Sequence, residues 1–320
     1  MKAGFLVVDK PAGITSHDVV SVLRALLGIK KVGHTGTLDP FATGVLPMAL
    51  GSATRLIQFL DESRKTYVGR IRLGEATDTG DLTGSVIRSS GVPALTLDGV
   101  QRAAEAFVGE RMQTPPQYSA VKVRGKALYK YAREGKSVAA APRPIRVYNL
   151  RATDVGLDWI DIQVECSRGT YVRVLAEELS ESLGSVGHLV ALRRVASGAF
   201  RLSNAVDFGQ LSMIAAGRSD WTAVLRPPRG VARVPWCDTS IRRAAIGELL
   251  TTPDEALDHL PRWSLDPVDL SQLRLRGRTV GGPEGLGDGA HWLAFEGNRL
   301  LGVMVRRGDV HRVARMLAQS

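Results

Sequence analysis

Residues 32–47 contain one acidic side chain, Asp39, among glycine, threonine and apolar residues. A carboxylate in such surroundings is poorly hydrated, so it must be paired with a cation or take part in catalysis. The alternative is structural, because aspartate before proline commonly caps a turn, and Pro40 follows Asp39 directly. The residues alone leave both interpretations open.

The segment around Asp39, residues 30–51, has no helical or strand periodicity and holds four glycines and two prolines. This composition predicts an ordered loop of about 20 residues, which is uncommon in a compact domain unless the loop is functional. His34 lies in the same segment, where a single histidine more often makes a structural hydrogen bond. Tyr67 falls on the apolar face of a predicted strand, where a core position is the ordinary expectation.

A second functional feature is a basic segment at residues 111–151, where ten Lys and Arg residues accompany one acid, Glu134. The local net charge is +9, against +10 for the whole chain, and four of the six tyrosines lie in the same segment. Cations that neutralise phosphates and rings that stack on bases are typical of proteins that bind RNA with unpaired nucleotides. The alternative is a solvated basic face whose tyrosines pack inward.

Several other functional classes find little support in the sequence. The six histidines and two cysteines form no zinc or disulfide pattern, so we expect no metal and a reducing, cytoplasmic location. No apolar run approaches the roughly 20 residues that span a bilayer. Residues 135–137 imitate the end of a phosphate-binding loop, but Lys130 replaces its first glycine. Asp78 and Asp81 could bind a cation, but two acids without further ligands form a poor site.

The elements that must position these residues predict an α+β fold. We expect strands at residues 4–9, 65–73, 145–155, 159–166 and 188–200, with helices that begin at the N-caps Ser16 and Thr96. Four prolines and glycines between residues 227 and 235 indicate a linker. Short β-like segments between glycine-rich turns follow. We therefore expect two domains, residues 1–257 and 258–320, the second a small β-barrel of about 60 residues.

Six motifs resemble the TruB family of tRNA pseudouridine synthases, in order and at ordinary spacing over residues 4–210. They are GFLVVDKPAG (4–13), GHTGTLDPFATG (33–44), GEATDTGDLTG (74–84), PPQYSAVKVRGKALYKYAR (115–133), SRGTYVR (167–173) and LRR (192–194). The C-terminal part more loosely resembles the PUA-type RNA-binding module of bacterial members. The resemblance implies a mixed β-sheet catalytic core with flanking helices, a thumb-like insertion at about residues 111–151, and the PUA-like domain.

The resemblance also implies an activity. Such enzymes isomerise uridine 55 in the T-arm of tRNA to pseudouridine: the glycosidic bond to N1 breaks, the uracil rotates, and C5 bonds to C1′. No cofactor is expected, the partner is tRNA without metal or membrane, and a monomer is the default expectation. Two alternatives stay open, namely a non-catalytic RNA-binding or tRNA-folding protein, and a synthase acting on another RNA. Asp39 distinguishes the first alternative, because a protein that only binds RNA has no use for a carboxylate beside an anionic substrate.

Residue roles follow from the matched motifs. Asp39 is implied as the catalytic carboxylate, acting as a nucleophile or stabilising charge, and Arg173 as the cation that keeps it ionised. His34 would fill the space that a flipped base vacates. The remaining substrate-binding residues implied are Tyr67, which stacks on the uracil, Tyr171, which lines the pocket opposite it, Leu192, which contacts the base, Lys10, which supports the pocket floor, and Asp81. The basic residues expected to contact the RNA backbone are Lys122, Arg124, Lys126 and Lys130.

Overall fold

The computed structural model describes residues 3–61, 64–216 and 237–317, so the expected linker at residues 227–235 lies outside the described residues. The described chain has the expected α+β architecture, with a nine-stranded mixed sheet and a smaller C-terminal sheet. None of its helices is long and apolar enough to cross a membrane.

The segment at residues 4–133 contributes five of the nine strands of the large sheet and two short hairpins outside it. Its strands are β1 (Gly4–Lys10), β2 (Val32–His34), β3 (Thr43–Leu50), β4 (Arg64–Leu73), β5 (Glu75–Thr77), β6 (Val86–Ser89), β7 (Gly109–Gln113), β8 (Lys122–Val123) and β9 (Lys126–Ala127). Its helices are α1 (Ser16–Leu27), α2 (Leu97–Glu105) and α3 (Leu128–Arg133), with 3-10 turns at Gly51–Arg55 and Ile57–Phe59.

The segment from residue 143 onward completes this sheet and adds the C-terminal one. Its strands are β10 (Arg143–Val155), β11 (Trp159–Ser167), β12 (Gly187–Ser197), β13 (Phe200–Arg201), β14 (Arg262–Ser264), β15 (Arg278–Thr279), β16 (His291–Glu296), β17 (Arg299–Arg307) and β18 (Val310–Met316). Its helices are α4 (Val172–Ser182), α5 (Phe208–Ala216), α6 (Thr239–Gly247), α7 (Pro253–Ala256) and α8 (Pro267–Arg276), with a 3-10 turn at Leu202–Asn204.

The large sheet has the order β1-β3-β12-β4-β11-β10-β7, with β2 beside β3 and β13 beside β12. The pair β12 and β3 is parallel, whereas β4 is antiparallel to both of its neighbours. Strands β3, β12 and β4 therefore lie side by side at the centre. Residues at the ends of these strands can meet although they are far apart in sequence.

Both faces of strand β1 are buried. Successive side chains of a strand point to opposite faces, and in β1 the two sets pack into two different cores. Leu6 and Val8 join the main core, which also contains apolar residues of α1, α2 and α4. Phe5 and Val7 join a second core with Leu293 and other residues of the C-terminal sheet. The C-terminal unit is thus packed against the large sheet through an apolar interface.

The C-terminal sheet has the strand order β14-β16-β17-β18-β15, and its own small core surrounds the fully buried Trp292. A separate C-terminal β-sheet unit is what the PUA-like expectation requires. The boundary at residues 257/258 stays a prediction.

Helix α1 begins one residue earlier than expected, and the predicted N-cap Ser16 is wrong. Thr15 is the N-cap and forms a capping box with Asp18, while Gly28 ends the helix in the left-handed conformation. Ser16 instead contacts the loop that carries Asp39, since its Oγ accepts from the Leu38 N–H at 2.9 Å and donates to the Leu38 carbonyl at 3.3 Å. The first turn of α1 therefore holds the residue before Asp39.

The expected loop of about 20 residues is also wrong, because strands β2 and β3 occupy half of it and pair with each other. The longest irregular stretch within it is residues 35–42. Gly44 and Pro47 are uncommon in strands, so they made β3 look like a loop in the sequence. Both residues nevertheless pair with residues of β1. Gly44 is required, because its φ is +102° and a Cβ there would lie 2.2 Å from the carbonyl oxygen of Arg194.

Candidate active site

A cavity of about 450 Å³ opens where the loop at residues 35–42 meets the centre of the sheet and the start of α4. Six of the eight predicted catalytic and substrate-binding residues line it: His34, Asp39, Tyr67, Tyr171, Arg173 and Leu192. They come from β2, the loop, β4, the N-terminus of α4 and β12. The fold thus brings together residues that the sequence separates widely.

Asp39 and Arg173 form an ion pair at the cavity wall, with 2.9 Å between Arg173 Nε and Asp39 Oδ2. Arg173 is only 3% exposed, whereas the Asp39 side chain is 34% exposed and faces the cavity. The other two guanidinium nitrogens donate to the carbonyls of Thr79 at 2.5 Å and Tyr118 at 2.9 Å. All three nitrogens of Arg173 are engaged, so its charge is held in one place beside the carboxylate.

Asp81 lies behind this pair and outside the cavity lining. It is 5% exposed and accepts hydrogen bonds from the hydroxyl of Thr79 at 2.9 Å and the N–H of Thr83 at 2.9 Å. Its Oδ2 is 3.8 Å from Arg173 Nε, so Arg173 lies between two carboxylates. This position supports Arg173 without placing Asp81 against a substrate.

Lys10 also lies behind the cavity wall and is fully buried at the end of β1. Its Nζ donates to the carbonyls of Pro11 at 2.9 Å, Ile14 at 2.8 Å and Pro40 at 3.2 Å. Burial lowers the pKa of Lys10 to about 8. Lys10 therefore ties β1 to the residue that follows Asp39.

The electrostatics of Asp39 reflect opposing effects. Burial raises the pKa of Asp39 above its ordinary value and Asp81 adds to the rise, whereas Arg173 and the more distant Lys10 act against it. A carboxylate held in this way is weakly hydrated yet paired with a fixed cation. Those are the conditions under which a carboxylate can act as a nucleophile or stabilise a developing positive charge.

Arg194 is a residue of this site whose role the sequence did not reveal. It is fully buried on β12, where its Nε donates to the carbonyl of Val45 at 2.7 Å and a second nitrogen donates to that of Gly36 at 3.0 Å. It is also the cross-strand partner of Tyr67. Burial raises the pKa of the Tyr67 hydroxyl, and Arg194 opposes that rise. A pair of arginines within an otherwise apolar strand was the only sign of this role in the sequence.

Tyr171 lies at the N-terminus of α4, and burial raises the pKa of its hydroxyl. Leu192 lies two residues before Arg194 and pairs with Gly69 of β4. His34 ends β2 and pairs with Met48. The structure places all three around the same cavity, and their individual roles stay predictions.

The basic segment forms a small excursion between β7 and β10, made of the hairpin β8–β9 and helix α3. Arg124 and Gly125 both have positive φ, which is the geometry of a two-residue hairpin turn. Lys122, Arg124 and Lys130 are exposed, whereas Lys126 forms an ion pair with Glu134. Lys126 is therefore partly neutralised, which the count of charges did not reveal.

Comparison with known proteins assigns the family. Residues 24–172 match the family described as TruB family pseudouridylate synthase (N terminal domain). The chain is 46% identical over 262 residues to tRNA pseudouridine synthase B of Geotalea uraniireducens, covering 82% of this chain and 76% of that protein. It is 47% identical over 271 residues to the protein of the same name from Geobacter sulfurreducens, covering 85% and 81%.

A solved structure of a Cbf5-Nop10-Gar1 complex contains a similar chain, with a TM-score of 0.69 over 98% of this chain and 85% of that one, at 23% identity. That likeness supports the fold. The cavity lies at the centre of the sheet and contains a carboxylate paired with an arginine. Together with the similarity to these relatives, this site identifies the protein as a pseudouridine synthase. The chain belongs to the TruB family of pseudouridylate synthases.

Proposed function

We propose that this enzyme converts uridine 55 in the T-arm of tRNA to pseudouridine, with Asp39 as its catalytic carboxylate. The observation that carries the proposal is the pairing of a cavity-facing Asp39 with the fixed, buried Arg173. The relatives named tRNA pseudouridine synthase B support tRNA as the substrate. We further propose that the enzyme acts as a cytoplasmic monomer.

The reaction rearranges bonds within one nucleotide. The bond from N1 to C1′ breaks, the uracil rotates, C5 bonds to C1′, the C5 proton leaves to water and N1 takes up a proton. Asp39 acts as the nucleophile at the sugar or base, or stabilises charge as the glycosidic bond breaks. Arg173 keeps the carboxylate ionised although burial disfavours its charge.

The other cavity residues hold the base. Tyr67 stacks on the uracil and Tyr171 and Leu192 close the pocket around it. His34 occupies the space left in the RNA by the flipped nucleotide, which offsets part of the few kcal/mol that unstacking costs. Lys10 and Asp81 act from behind the wall by fixing the loop and Arg173.

The basic segment at residues 111–151 grips the RNA arm. Lys122, Arg124 and Lys130 are exposed and available to phosphates. Lys126 contributes after release from Glu134. The C-terminal sheet unit provides the second RNA contact that the PUA-type resemblance implies.

Tritium release from tRNA that carries 5-³H-uridine tests this function, because the C5 hydrogen is lost only when the new carbon–carbon bond forms. We expect release by the wild type and none above background by Asp39→Asn. Asp161→Asn is the matched control, since Asp161 is also paired with an arginine but does not line the cavity. Absence of release by the wild type would exclude the enzyme and favour an RNA-binding or RNA-folding protein.

Mapping of modified uridines in a strain that lacks the gene tests the substrate. Loss of pseudouridine at tRNA position 55 alone supports the proposal. Loss at another RNA, with position 55 unchanged, supports the alternative of a synthase with a different substrate.

A further inference from the structure

Gln113, the last residue of β7, holds the backbone of Tyr171 with both ends of its side-chain amide. Its Nε2 donates to the Tyr171 carbonyl at 3.1 Å, and its Oε1 accepts from the Tyr171 N–H at 2.8 Å. The backbone N–H can only donate and the carbonyl can only accept, so the orientation of the amide is fixed. Gln113 is 2% exposed and does not line the cavity.

The position of Gln113 joins two functional parts of the molecule. It lies where the basic segment leaves the sheet, and it pairs with Arg143, where the chain returns to the sheet. Tyr171 is the N-cap of α4, and Arg173 follows in the first turn of that helix. One buried side chain therefore connects the root of the RNA-gripping segment to the helix that carries the cation beside Asp39.

A second hydrogen bond joins the same two segments, residues 113–118 and the start of α4. Arg173 donates to the carbonyl of Tyr118 at 2.9 Å, five residues beyond Gln113. The intervening segment contains Pro115 and Pro116, whose rings fix φ and stiffen the backbone. Residues 113 and 118 are thus pinned to residues 171 and 173, so a displacement of one segment displaces the other.

We propose that Gln113 is a positioning residue for the reaction, which keeps Tyr171 and Arg173 in register with Asp39 while the basic segment holds RNA. It acts through the backbone of Tyr171 and touches no substrate. The proposal rests on the proposed function, and it assigns the root of the basic segment a part in catalysis as well as in RNA binding.

The substitution Gln113→Glu tests the proposal through its pH dependence. A protonated carboxylic acid has one donor and one acceptor, as the amide has, and reproduces both hydrogen bonds. The ionised form is an acceptor only, and its second oxygen repels the Tyr171 carbonyl. We expect the 2% exposure of this position to raise the pKa of the introduced acid toward neutral pH, against the attraction of Arg143 on the paired strand.

We expect the ratio of variant to wild-type kcat, at saturating tRNA, to approach one at low pH. With rising pH it should fall by about tenfold or more, the effect of losing a buried hydrogen bond. KM should change little. Taking the ratio at each pH removes the titration of Asp39, which both proteins share.

Gln117→Glu is the matched control. Gln117 clamps the backbone of Val138 in the same two-bonded manner, at 3.0 and 3.1 Å, but its partner lies within the basic segment instead of at the N-terminus of α4. Its kcat ratio should not vary with pH. A Gln113→Glu ratio that is constant with pH, at any level of activity, overturns the proposal, as does an equal pH dependence of Gln117→Glu.

Amide hydrogen exchange provides a readout that needs no activity. Gln113→Ala should accelerate exchange in the peptide that spans residues 169–175, whereas Gln117→Ala should leave that peptide unchanged. Unchanged exchange in Gln113→Ala shows that Gln113 does not hold Tyr171. This result stands whether or not tritium release supports the proposed function.

Discussion

Replacement of Arg173 by lysine separates the charge of this residue from its geometry. Arg173 binds Asp39, Thr79 and Tyr118 through three different nitrogens. Lysine keeps the positive charge but has one nitrogen on a flexible stem, which cannot reach all three acceptors. The substitution therefore tests whether Asp39 needs a fixed cation or only a nearby one.

The magnitude follows from the hydrogen bonds that are lost. Hydrogen bonds to charged groups contribute about 1.5–3 kcal/mol each. Of the three hydrogen bonds that Arg173 makes, a lysine would lose at least one and in most side-chain conformations two. If about 3 kcal/mol of this loss falls on the transition state, kcat decreases by about 100-fold, because 1.36 kcal/mol corresponds to tenfold in rate. KM should change less, since the lost contacts lie within the protein.

The assay is tritium release at saturating tRNA, with urea unfolding to establish that each variant is folded at the assay temperature. Arg70→Lys is the control, because Arg70 also binds an aspartate through two nitrogens, at 2.6 and 2.7 Å, but it is exposed. Its kcat should stay within about twofold of the wild type, as expected for a surface pair. The reasoning is refuted if Arg173→Lys retains kcat within about threefold, or if both variants lose activity equally.

Three further outcomes are expected. Because burial raises the pKa of Asp39, kcat should fall on acidification at a higher pH than an ordinary aspartate would give, since protonation removes the required charge; a pH–rate profile without that acid limb contradicts the assignment. Gly44→Ala should lower the free energy of unfolding, measured in urea, by more than about 2 kcal/mol, because the new Cβ would lie 2.2 Å from a backbone oxygen. Gly13→Ala is the control: Gly13 also has a positive φ but open space around it, so the loss should be about 1 kcal/mol. Equal losses in the two variants would contradict the close contact between strands at Gly44. Lys122→Ala should reduce the slope of log affinity for tRNA against log salt concentration by about 0.7–0.9. Lys126→Ala should reduce it by less, because Lys126 is already paired with Glu134. Equal slopes in the two variants would contradict the expected difference between an exposed and a paired lysine.

The sequence predicted the parts of the fold that follow from periodicity and composition. Strand β4 alternates cleanly, so its position and the inward face of Tyr67 were evident. Strand β3 is buried on both faces and contains Gly44 and Pro47, so it shows no alternation and resembled a loop. Ser16 and Thr15 are both good N-caps, and only the position of Asp18 selects Thr15.

The predicted pairing of Asp39 with Arg173 came from the family motifs together with the requirement that a buried carboxylate be neutralised. The roles of Arg194 and Gln113 were not predictable in this way. Their partners are backbone carbonyl and N–H groups, which every residue carries and no sequence pattern marks. Such contacts become visible only when the fold brings the two segments together.

Buried cations form hydrogen bonds with the loop at residues 35–42 and hold it in place, although it has no secondary structure. Arg194 binds the carbonyl of Gly36 and Lys10 binds that of Pro40, while Arg173 holds the side chain of Asp39 between them. Burying each charge costs several kcal/mol, so a loop that needed only shape could be held more favourably by neutral groups. Arg194 and Lys10 satisfy loop carbonyls, and Arg173 and Lys10 also favour the ionised form of Asp39 against the effect of burial. In the proposed function, the buried cations would tune the chemistry at Asp39, and the exposed cations of residues 111–151 would bring the polyanion to it.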